Sequence, residues 1–410
     1  MGIKVPLGPL GLRKQDVEAI NKVLASGNLT MGKEVIEFEN EMAQYLGTKY
    51  FVMVNSGSSA NLAIFESLLR PSLGEPGLKR GDIVLVPSIA WPTSIWPIIQ
   101  LGLVPSFVDV EEHTLAIDLL KAQEVVDRDI NNSVRAIFPI HPLGYGINSI
   151  ELDEFAQRNN LILVNDVCEA LGSWQEKGHS GTSGAMSSFS FYFSHHMTTM
   201  EGGGVATNNP SLLNDLRSIR SHGWSRDRND IEAWDNNMPP SMRKFTFMST
   251  GFNIRPMEIQ AAVGREQLRD LSDFLSKRRR NVEKIYSALP DKYFEIIGTF
   301  SGIDIKTFQR HSWMHIPIRI KHKNPKKSRL RVVKFLEDSG VETRPPLTGN
   351  FLRQPAMRKF RNLIECEDNY RIADEITDST FLVGCHHDLS DTQIDYLSDK
   401  LIESVKYLSQ

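Results

Sequence analysis

The chain has 410 residues, of which 40% are hydrophobic and 24% charged, a balance typical of a globular protein with room for one large domain and a smaller one. The formal net charge is -3 at pH 7, and the basic runs at 277–280 and 321–331 are interpreted as solvated faces, so the composition does not indicate a nucleic-acid partner. No run of about 18 apolar residues is present and the N-terminal segment has no hydrophobic signal core, so neither a membrane span nor export is indicated and we expect a cytoplasmic protein.

The first elements in chain order are two amphipathic helices. Residues 15–46 place apolar and charged side chains at helical spacing, and each predicted helix ends at a glycine, Gly27 or Gly47. From Phe51 short β-branched runs alternate with helical stretches, which predicts an α/β fold with a mostly parallel central sheet covered by helices on both faces. The predicted strands after the first lie at 82–88, 104–110, 134–144 and 160–167.

The pattern changes towards the C-terminal end. From about Lys292 short strands mix with helices, which predicts a smaller α+β domain. We expect residues 1–285 to form an N-terminal segment with the large α/β domain, and residues 286–410 to form the small C-terminal domain.

Chemistry-bearing residues follow several of the predicted strands, where open α/β sheets bind ligands. The turn NSGSSAN (55–61) leads into a helix and offers N–H and hydroxyl donors to a phosphate, although an ordinary helix cap is the simpler interpretation. Asp166 and Glu169 follow another strand, where an acid caps a helix or holds a protonated ring nitrogen. Trp91 follows a third strand and either stacks on a planar ligand or packs in the core.

The segment YFSHHMTTMEGGG (192–204) contains two adjacent histidines. Adjacent side chains point to opposite faces of a strand and about 100° apart on a helix, so the two rings cannot easily chelate one ion. No HExxH pattern and no nearby cysteine supply further ligands, and we predict no metal site. One of the two histidines can still be functional.

Taken in order, these motifs carry a resemblance. The blocks NSGSSANLAIF, LVNDVCEALGSW, GTSGAMSSFSFYFSHHMTTMEGGGVATNN, RSIRSHGWSRD and GFNIRPMEIQAAVGREQL resemble signature blocks of the nucleotide-sugar aminotransferase family, and the likeness covers about residues 5–390. Members of that family have the pyridoxal-phosphate-dependent transferase fold type I, so the resemblance implies this fold and this cofactor.

The resemblance departs from the family at one position. Where the aminotransferases have a lysine, which bonds covalently to the cofactor and moves protons, this chain has His195. An imidazole cannot form that bond. The resemblance therefore implies pyridoxamine 5'-phosphate or pyridoxal 5'-phosphate held non-covalently, with His195 as the catalytic base.

A subgroup of the family, the 3-dehydratases of 3,6-dideoxysugar biosynthesis, shares this substitution. The segments FSHHMTTMEGG, RSHGWSRD and RPPLTGNFL are most similar to it. The resemblance implies a 3-dehydratase that requires L-glutamate and acts on a nucleotide-linked 4-keto-6-deoxyhexose, with GDP-4-keto-6-deoxy-D-mannose favoured. Its product would be a 4-keto-3,6-dideoxy sugar of the colitose type for lipopolysaccharide O-antigen biosynthesis. The nucleotide and the stereochemistry of the hexose stay open.

One branch of that subgroup carries a [2Fe-2S] cluster on four cysteines. This chain has three cysteines, Cys168, Cys366 and Cys385, without CxxC spacing, and they cannot supply that ligand set. We therefore expect no iron–sulfur cluster, and the absence of a disulfide framework favours a reducing cytosol.

The resemblance also implies roles for single residues. Gly57, Ser58 and Ser190 would bind the cofactor phosphate, Trp91 would stack on its ring, Asp166 would hold the ring nitrogen, and Glu169 would lie beside the 3-hydroxyl. Active sites of the family are shared in a homodimer, with Asn253 as the partner's phosphate contact. Candidates for the substrate side are His222, Arg226 and Arg344, and Arg344 and Arg255 are also candidates for the glutamate carboxylates.

Two rival interpretations keep the same fold. The chain could be a catalytically inactive cofactor-binding regulator in which His195 is a decayed lysine. It could also be a nucleotide-sugar aminotransferase that uses another lysine, with Lys177 and Lys244 the nearest candidates in sequence.

Overall fold

The computed structural model describes residues 4–9, 11–71, 77–230, 239–243, 245–299, 310–365 and 369–408. Cys366 and Lys244, both named in the sequence analysis, lie outside these described residues.

The N-terminal part contains the two predicted helices, α1 (Lys14–Ser26) and α2 (Lys33–Leu46). Both end at the predicted glycines, Gly27 with φ 73° and Gly47 with φ 72°. Glycine adopts this left-handed conformation without a steric penalty, which is why it terminates helices so often. The predicted helices and their ends are confirmed.

Strands and helices then alternate along the chain. In order they are β1 (Tyr50–Val54), α3 (Gly57–Leu69), β2 (Ile83–Pro87), α4 (Pro92–Gln100), β3 (Val104–Val108), α5 (Leu119–Arg128), β4 (Val134–Ile137), α6 (Ser149–Arg158), β5 (Ile162–Asp166), β6 (Trp174–Gln175), β7 (Gly178–His179), β8 (Met186–Ser190), β9 (Gly203–Thr207) and α7 (Pro210–Ile219).

The central sheet has the strand order β1-β9-β8-β5-β4-β2-β3, and β6 and β7 form a separate hairpin. The pairs from β3 to β8 are parallel, whereas β9 is antiparallel to both of its neighbours, β8 and β1. The mostly parallel α/β sheet predicted from the alternation is confirmed. Because β9 alone is reversed, β1 runs in the same direction as β8, and the carboxyl ends of β1, β2, β4, β5 and β8 meet at one edge.

The C-terminal part follows a long helix. In order it contains α8 (Pro240–Arg243), α9 (Glu258–Ala288), β10 (Phe294–Ile296), β11 (Ile316–Ile320), α10 (Pro325–Asp338), α11 (Arg371–Ser379), β12 (Thr380–Val383) and α12 (Asp391–Ser404). Strands β10, β11 and β12 form an antiparallel sheet in that order. Helix α9 has 31 residues, about 46 Å at 1.5 Å per residue, and packs against α1, α2 and α12.

The two sheets have separate hydrophobic cores. One buries side chains of the central sheet against α3, α4 and α7, and another buries the small sheet against α10 and α12. The predicted domain boundary after residue 285 falls within α9, near its C-terminal end, and it stays a prediction. Among the residues that the structure describes, no helix combines the length and the apolar character needed to cross a membrane.

Candidate active site

A cavity of about 470 Å³ opens at the edge where the carboxyl ends of the parallel strands meet. This is the position at which open α/β sheets bind their ligands. Its walls come from the loops after β1, β2, β5 and β8 and from the segments around Met314 and Arg344. Eight residues that the sequence analysis singled out line it: Gly57, Ser58, Trp91, Asp166, Glu169, Ser190, His195 and Arg344.

The turn after β1 brings the N-terminus of α3 into the cavity. Ser56 caps the helix, because its Oγ accepts the N–H of Ser59 at 3.1 Å, so the helix-cap interpretation holds for this residue. The N–H groups of the next residues, Gly57 and Ser58, have no intrahelical partner by helix geometry. Together with the helix dipole they favour an anion at this wall of the cavity.

Glycines let the chain approach this helix end closely. A Cβ on Gly57 would lie 2.5 Å from Cβ of Ser190 and 3.1 Å from Sγ of Cys168. A Cβ on Gly203, the first residue of β9, would lie 2.4 Å from the backbone nitrogen of Gly57. The glycines after the histidine pair therefore allow β9 to pass directly beside the turn, a role that the sequence analysis did not assign.

Asp166 ends β5 with a side chain that is 3% exposed. Its Oδ2 accepts hydrogen bonds from Nδ2 of Asn61 at 2.9 Å and from Oγ of Ser94 at 2.7 Å, and its Oδ1 accepts the N–H of Cys168 at 3.1 Å. Three donors fix the carboxylate and stabilise its charge in a buried place. Neither Asn61 nor Ser94 was predicted from the sequence, although Asn61 lies within the turn 55–61 and Ser94 lies three residues after Trp91.

Trp91 precedes α4, and 44% of its surface is exposed. This exposure rules out the core-packing interpretation and leaves the indole face available at the wall of the cavity. The guanidinium of Arg344 lies 5.6 Å from the centre of the ring, within the range of a cation–π contact. Arg255, the other candidate for a carboxylate, does not line the cavity.

Glu169 lies on the turn after β5 and lines the cavity together with Asp166 and Arg344. Burial raises the pKa of its carboxyl to about 7, partly offset by the N–H of Leu143, which donates to Oε2 at 3.0 Å, and by the charge of Arg344. Near neutral pH this carboxyl can therefore both give and take a proton.

His195 lies in the turn that follows β8, where its N–H donates to the carbonyl of Tyr192 at 3.0 Å. Burial lowers the pKa of its imidazole to about 4, so the ring is neutral near pH 7. Its Nδ1 lies 3.3 Å from the carbonyl oxygen of Ser190. Since a carbonyl only accepts, this contact assigns the proton to Nδ1 and leaves the lone pair of a base on Nε2.

His196 lies in a different environment from its neighbour. Its ring is fully buried, and neither ring nitrogen has a hydrogen-bond partner among the described residues. Burial holds its pKa well below the usual value, which is compatible with a structural role for this ring. No cluster of three or more histidine, cysteine or acidic side chains suited to a metal ion occurs in the described ranges.

Besides Arg255, three further candidate site residues lie outside this cavity. Asn253 and His222 are exposed, and the N–H of His222 donates to the carbonyl of Phe252 at 2.8 Å. Arg226 is exposed as well and stacks on Trp224, with 4.2 Å between the guanidinium carbon and the ring centre.

No lysine lines the cavity within the part of the chain that the structure describes. Lys177, one of the two lysines that the aminotransferase interpretation requires, is exposed in the turn of the β6–β7 hairpin. The position in the cavity that the resemblance gives to a lysine is occupied by His195.

Known proteins with similar sequences and structures match this chain over most of their length. GDP-4-keto-6-deoxy-D-mannose 3-dehydratase from Yersinia pseudotuberculosis is 34% identical over 399 residues, 95% of this chain and 96% of that protein. dTDP-4-dehydro-2,6-dideoxy-D-glucose 3-dehydratase from Saccharopolyspora spinosa is 34% identical over 425 residues, 98% of this chain and 87% of that protein. A crystal structure of GDP-4-keto-6-deoxymannose-3-dehydratase with a trapped PLP-glutamate geminal diamine superposes with a TM-score of 0.86 at 32% identity, covering 97% of this chain and all of that one.

The sequence pattern of the DegT/DnrJ/EryC1/StrS aminotransferase family matches residues 11–402. The fold is thus the type I fold of pyridoxal-phosphate-dependent transferases that the resemblance implied. The chain belongs to the DegT/DnrJ/EryC1/StrS aminotransferase family.

Proposed function

We propose that the protein is a pyridoxamine/pyridoxal 5'-phosphate-dependent 3-dehydratase that removes the C3 hydroxyl of a nucleotide-linked 4-keto-6-deoxyhexose at the expense of L-glutamate. The observation that carries this proposal is a neutral imidazole, that of His195, in a cavity whose described lining contains no lysine. Relatives at 34% identity over nearly the whole chain are 3-dehydratases of nucleotide sugars, which supports the same reaction class here.

The cavity fits the cofactor. Asp166, fixed by three donors, suits a protonated ring nitrogen, because a buried carboxylate is stabilised by a cationic partner. Gly57 and Ser58 at the start of α3, with the hydroxyl of Ser190 close by, suit the phosphate. The exposed indole of Trp91 suits the flat face of the ring and replaces the hold that a covalent bond would give.

When bound, the cofactor supplies an amine for the C4 ketone of the sugar and an electron-withdrawing ring that acidifies the neighbouring carbon. Nε2 of His195 accepts the proton released there, and the C3 hydroxyl of the sugar leaves. A lysine at this position would instead return the proton to the sugar and complete a transamination. Glu169, with a pKa of about 7, would share a proton with the 3-hydroxyl of the cofactor ring. Arg344, which also lines the cavity, would supply a fixed positive charge for a carboxylate of glutamate.

The stoichiometry of the proposed reaction is balanced. Replacing the C3 hydroxyl by hydrogen takes two electrons, which glutamate supplies as it is oxidised to 2-oxoglutarate with release of ammonia. Each turnover therefore consumes one glutamate and forms one 2-oxoglutarate, one ammonia and one 4-keto-3,6-dideoxy sugar.

The decisive experiment incubates the purified protein with pyridoxamine 5'-phosphate, glutamate and GDP-4-keto-6-deoxy-D-mannose. We expect ammonia and 2-oxoglutarate in equal amounts and a product that has lost the oxygen at C3, identified by mass and NMR. The dTDP- and CDP-linked sugars, assayed in parallel, identify the preferred nucleotide. Ammonia at blank level with every donor would favour the inactive regulator, and an amino sugar would establish the aminotransferase.

We also propose a homodimer in which each active site is completed by the partner. Asn253, His222 and Arg226 lie outside the cavity of their own subunit and are exposed, as expected of residues that act across an interface. The same region exposes the aromatic side chains of Phe245 and Phe247, which an interface would cover. We propose that Asn253 contacts the cofactor phosphate in the active site of the partner subunit, and that His222 and Arg226 contact the substrate there.

Mixing two inactive variants tests the shared site. His195→Asn and Asn253→Asp impair different halves of one composite site, so mixed dimers contain one site that carries both changes and one that carries neither. Refolding them together should restore up to about a quarter of the wild-type turnover. A monomer by light scattering, or no recovery on mixing, would contradict the shared site.

We place the enzyme in the cytoplasm. Cys168 and Cys385 are free thiols, as is usual for proteins of a reducing compartment. Cell fractionation of the producing organism followed by the ammonia assay checks this location.

A further inference from the structure

Arg278 lies on α9 with a side chain that is fully buried. No carboxylate of the described residues forms an ion pair with its guanidinium. Burial lowers its pKa, and the thiol of Cys385 and, more weakly, Asp388 oppose this shift. Burial raises the pKa of Cys385 itself to about 11, so this thiol is neutral near pH 7 and is not an anionic partner. A buried cation without an anionic partner is unfavourable. Its position therefore needs an explanation other than stability.

Two nitrogens of the guanidinium donate to three backbone carbonyls, whereas Nε has no hydrogen-bond partner among the described residues. Its Nη2 donates to the carbonyl of His195 at 3.0 Å, and its Nη1 donates to the carbonyls of Trp313 and Met314 at 3.2 and 3.0 Å. The planar fork of arginine can reach several acceptors in fixed directions, which a lysine ammonium on a flexible stem cannot reproduce.

These carbonyls belong to two different walls of the cavity. His195 lies on the turn after β8 of the central sheet, whereas Met314 lies in the segment that enters β11 of the small sheet, and both side chains line the cavity. Arg278 thus ties the turn that carries the proposed base to the segment that carries Met314. A shift of this contact would move the imidazole relative to anything bound between the walls.

The charge of Arg278 also bears on the imidazole itself. Burial is the largest influence on the pKa of His195; Arg278 and Arg344 lower it further, whereas the Ser190 carbonyl and Asp166 raise it. The neighbouring rings of His196 and His315 are buried and have lowered pKa values, so they are neutral near pH 7 and add no charge.

We propose that Arg278 is a positioning residue for His195: its buried guanidinium holds the backbone of the His195 turn and opposes a second positive charge on the adjacent imidazole. The kinetic part of this inference rests on the proposed dehydratase function, whereas the state of the imidazole can be measured without any turnover.

Three variants separate geometry from charge. Arg278→Lys keeps the positive charge but loses the planar, forked arrangement of the guanidinium donors. Arg278→Met and Arg278→Gln remove the charge. The matched control is Arg279→Met on the same helix, because the Arg279 guanidinium also donates to backbone carbonyls, those of His311 at 3.1 Å and Gly172 at 3.4 Å, but not to His195.

The first measurement is an NMR titration of the ring carbons in full-length protein labelled at histidine, with the His195 signal assigned by its loss in His195→Asn. Without the nearby cation, the midpoint of the His195 titration should rise by roughly half a pH unit or more in Arg278→Met and Arg278→Gln. It should stay near the wild-type value in Arg278→Lys and Arg279→Met. An unchanged midpoint in the neutral variants, or an equal rise in the control, would overturn the electrostatic part.

The second measurement is the pH profile of turnover with the sugar and glutamate. Arg278→Lys should lower kcat by about tenfold with little change in KM, because one misplaced hydrogen bond costs that order of rate. The neutral variants should also move the acid limb of the profile to higher pH. Wild-type kcat in Arg278→Lys would overturn the positioning part. If the wild-type protein shows no dehydration, the proposed function fails while the titration still decides the role of Arg278.

Discussion

A lysine amine and a histidine imidazole differ in two properties that matter at position 195. The amine can bond covalently to a carbonyl and carries its proton until high pH, whereas the imidazole stays unbonded and is neutral near pH 7. The Ser190 carbonyl, 3.3 Å from Nδ1, turns this neutral ring into a base with a free Nε2. The exchange of one side chain thus changes which proton transfer the cavity supports.

Replacing the imidazole by an amine should reverse that change. In His195→Lys we expect a covalent cofactor adduct that borohydride fixes and peptide mass analysis locates at position 195. Dehydration should fall by at least about 100-fold, the usual contribution of a positioned acid–base group. The control His195→Asn should lose dehydration equally but form no adduct. Full dehydratase activity in the lysine variant would contradict the proposed base.

Single residues were predictable from the sequence where the chain itself brings them to a strand end. Asp166 ends β5, the other three residues, Glu169, Trp91 and His195, lie in the loops that follow β5, β2 and β8, and all four line the cavity. Residues that act through distant contacts could not be found in this way. Arg278 donates a hydrogen bond to the carbonyl of His195, 83 positions away in the sequence, and no local sequence pattern predicts this contact.

At the scale of elements, the N-terminus of α3 and the strand β9 define the proposed phosphate site. The start of α3 could be predicted from the sequence, because it depends on neighbouring residues and Ser, Gly and Asn favour turns and helix caps. The role of the glycines of β9 could not be predicted from the sequence, because it depends on the antiparallel pairing of β9 between β1 and β8. Only that pairing brings Gly203 against the turn.

Adding one methyl group at this contact should weaken cofactor binding. In Gly203→Ala the new Cβ would lie 2.4 Å from the nitrogen of Gly57 and 2.5 Å from the carbonyl oxygen of Ser56, both backbone atoms, so the helix start must shift. We expect the Kd for pyridoxal 5'-phosphate, measured by absorbance titration, to rise by about tenfold or more.

A second glycine separates this effect from a general loss of stability. Gly47→Ala also places a side chain in a left-handed conformation, φ 72°, but with open space around the new Cβ and far from the cavity. It should lower the thermal midpoint while leaving the Kd unchanged. Equal Kd values for the two variants and the wild type would exclude the proposed phosphate site.

At the scale of the whole molecule, the order of strands and helices followed from periodicity, because each element is short and its pattern is local. The sheet class was predictable for the same reason. The buried polar interior was not. Several histidines that look unremarkable in the sequence are buried, and the charge of Arg278 acts on His196, His315 and His386. Their burial depends on the packing of segments that are remote in the sequence.

These histidines should make the protein sensitive to mild acid. Burial lowers the pKa of His141 and His179 to about 4, below their unfolded value near 6.5. The same direction holds for His196, His311, His315, His386 and His387.

Between pH 6.5 and about 4 the unfolded chain binds protons that the folded chain does not, so the stability present above pH 6.5 is lost as the pH falls. Each such histidine contributes up to about 1.4 kcal/mol per pH unit. Glu169 acts in the opposite direction, because its raised pKa of about 7 means that the folded state binds a proton first. Burial also raises the pKa values of Glu111, Asp153 and Glu365, which therefore act in the same direction as Glu169. These four carboxyls are outnumbered by the seven histidines, so we expect the thermal midpoint, followed by circular dichroism, to fall by several degrees between pH 7 and pH 5. His196→Met removes one buried ring that has no hydrogen-bond partner among the described residues, so the thermal midpoint of this variant should depend less on pH. A wild-type thermal midpoint that is constant between pH 7 and pH 5 would contradict the neutral, buried state of these rings.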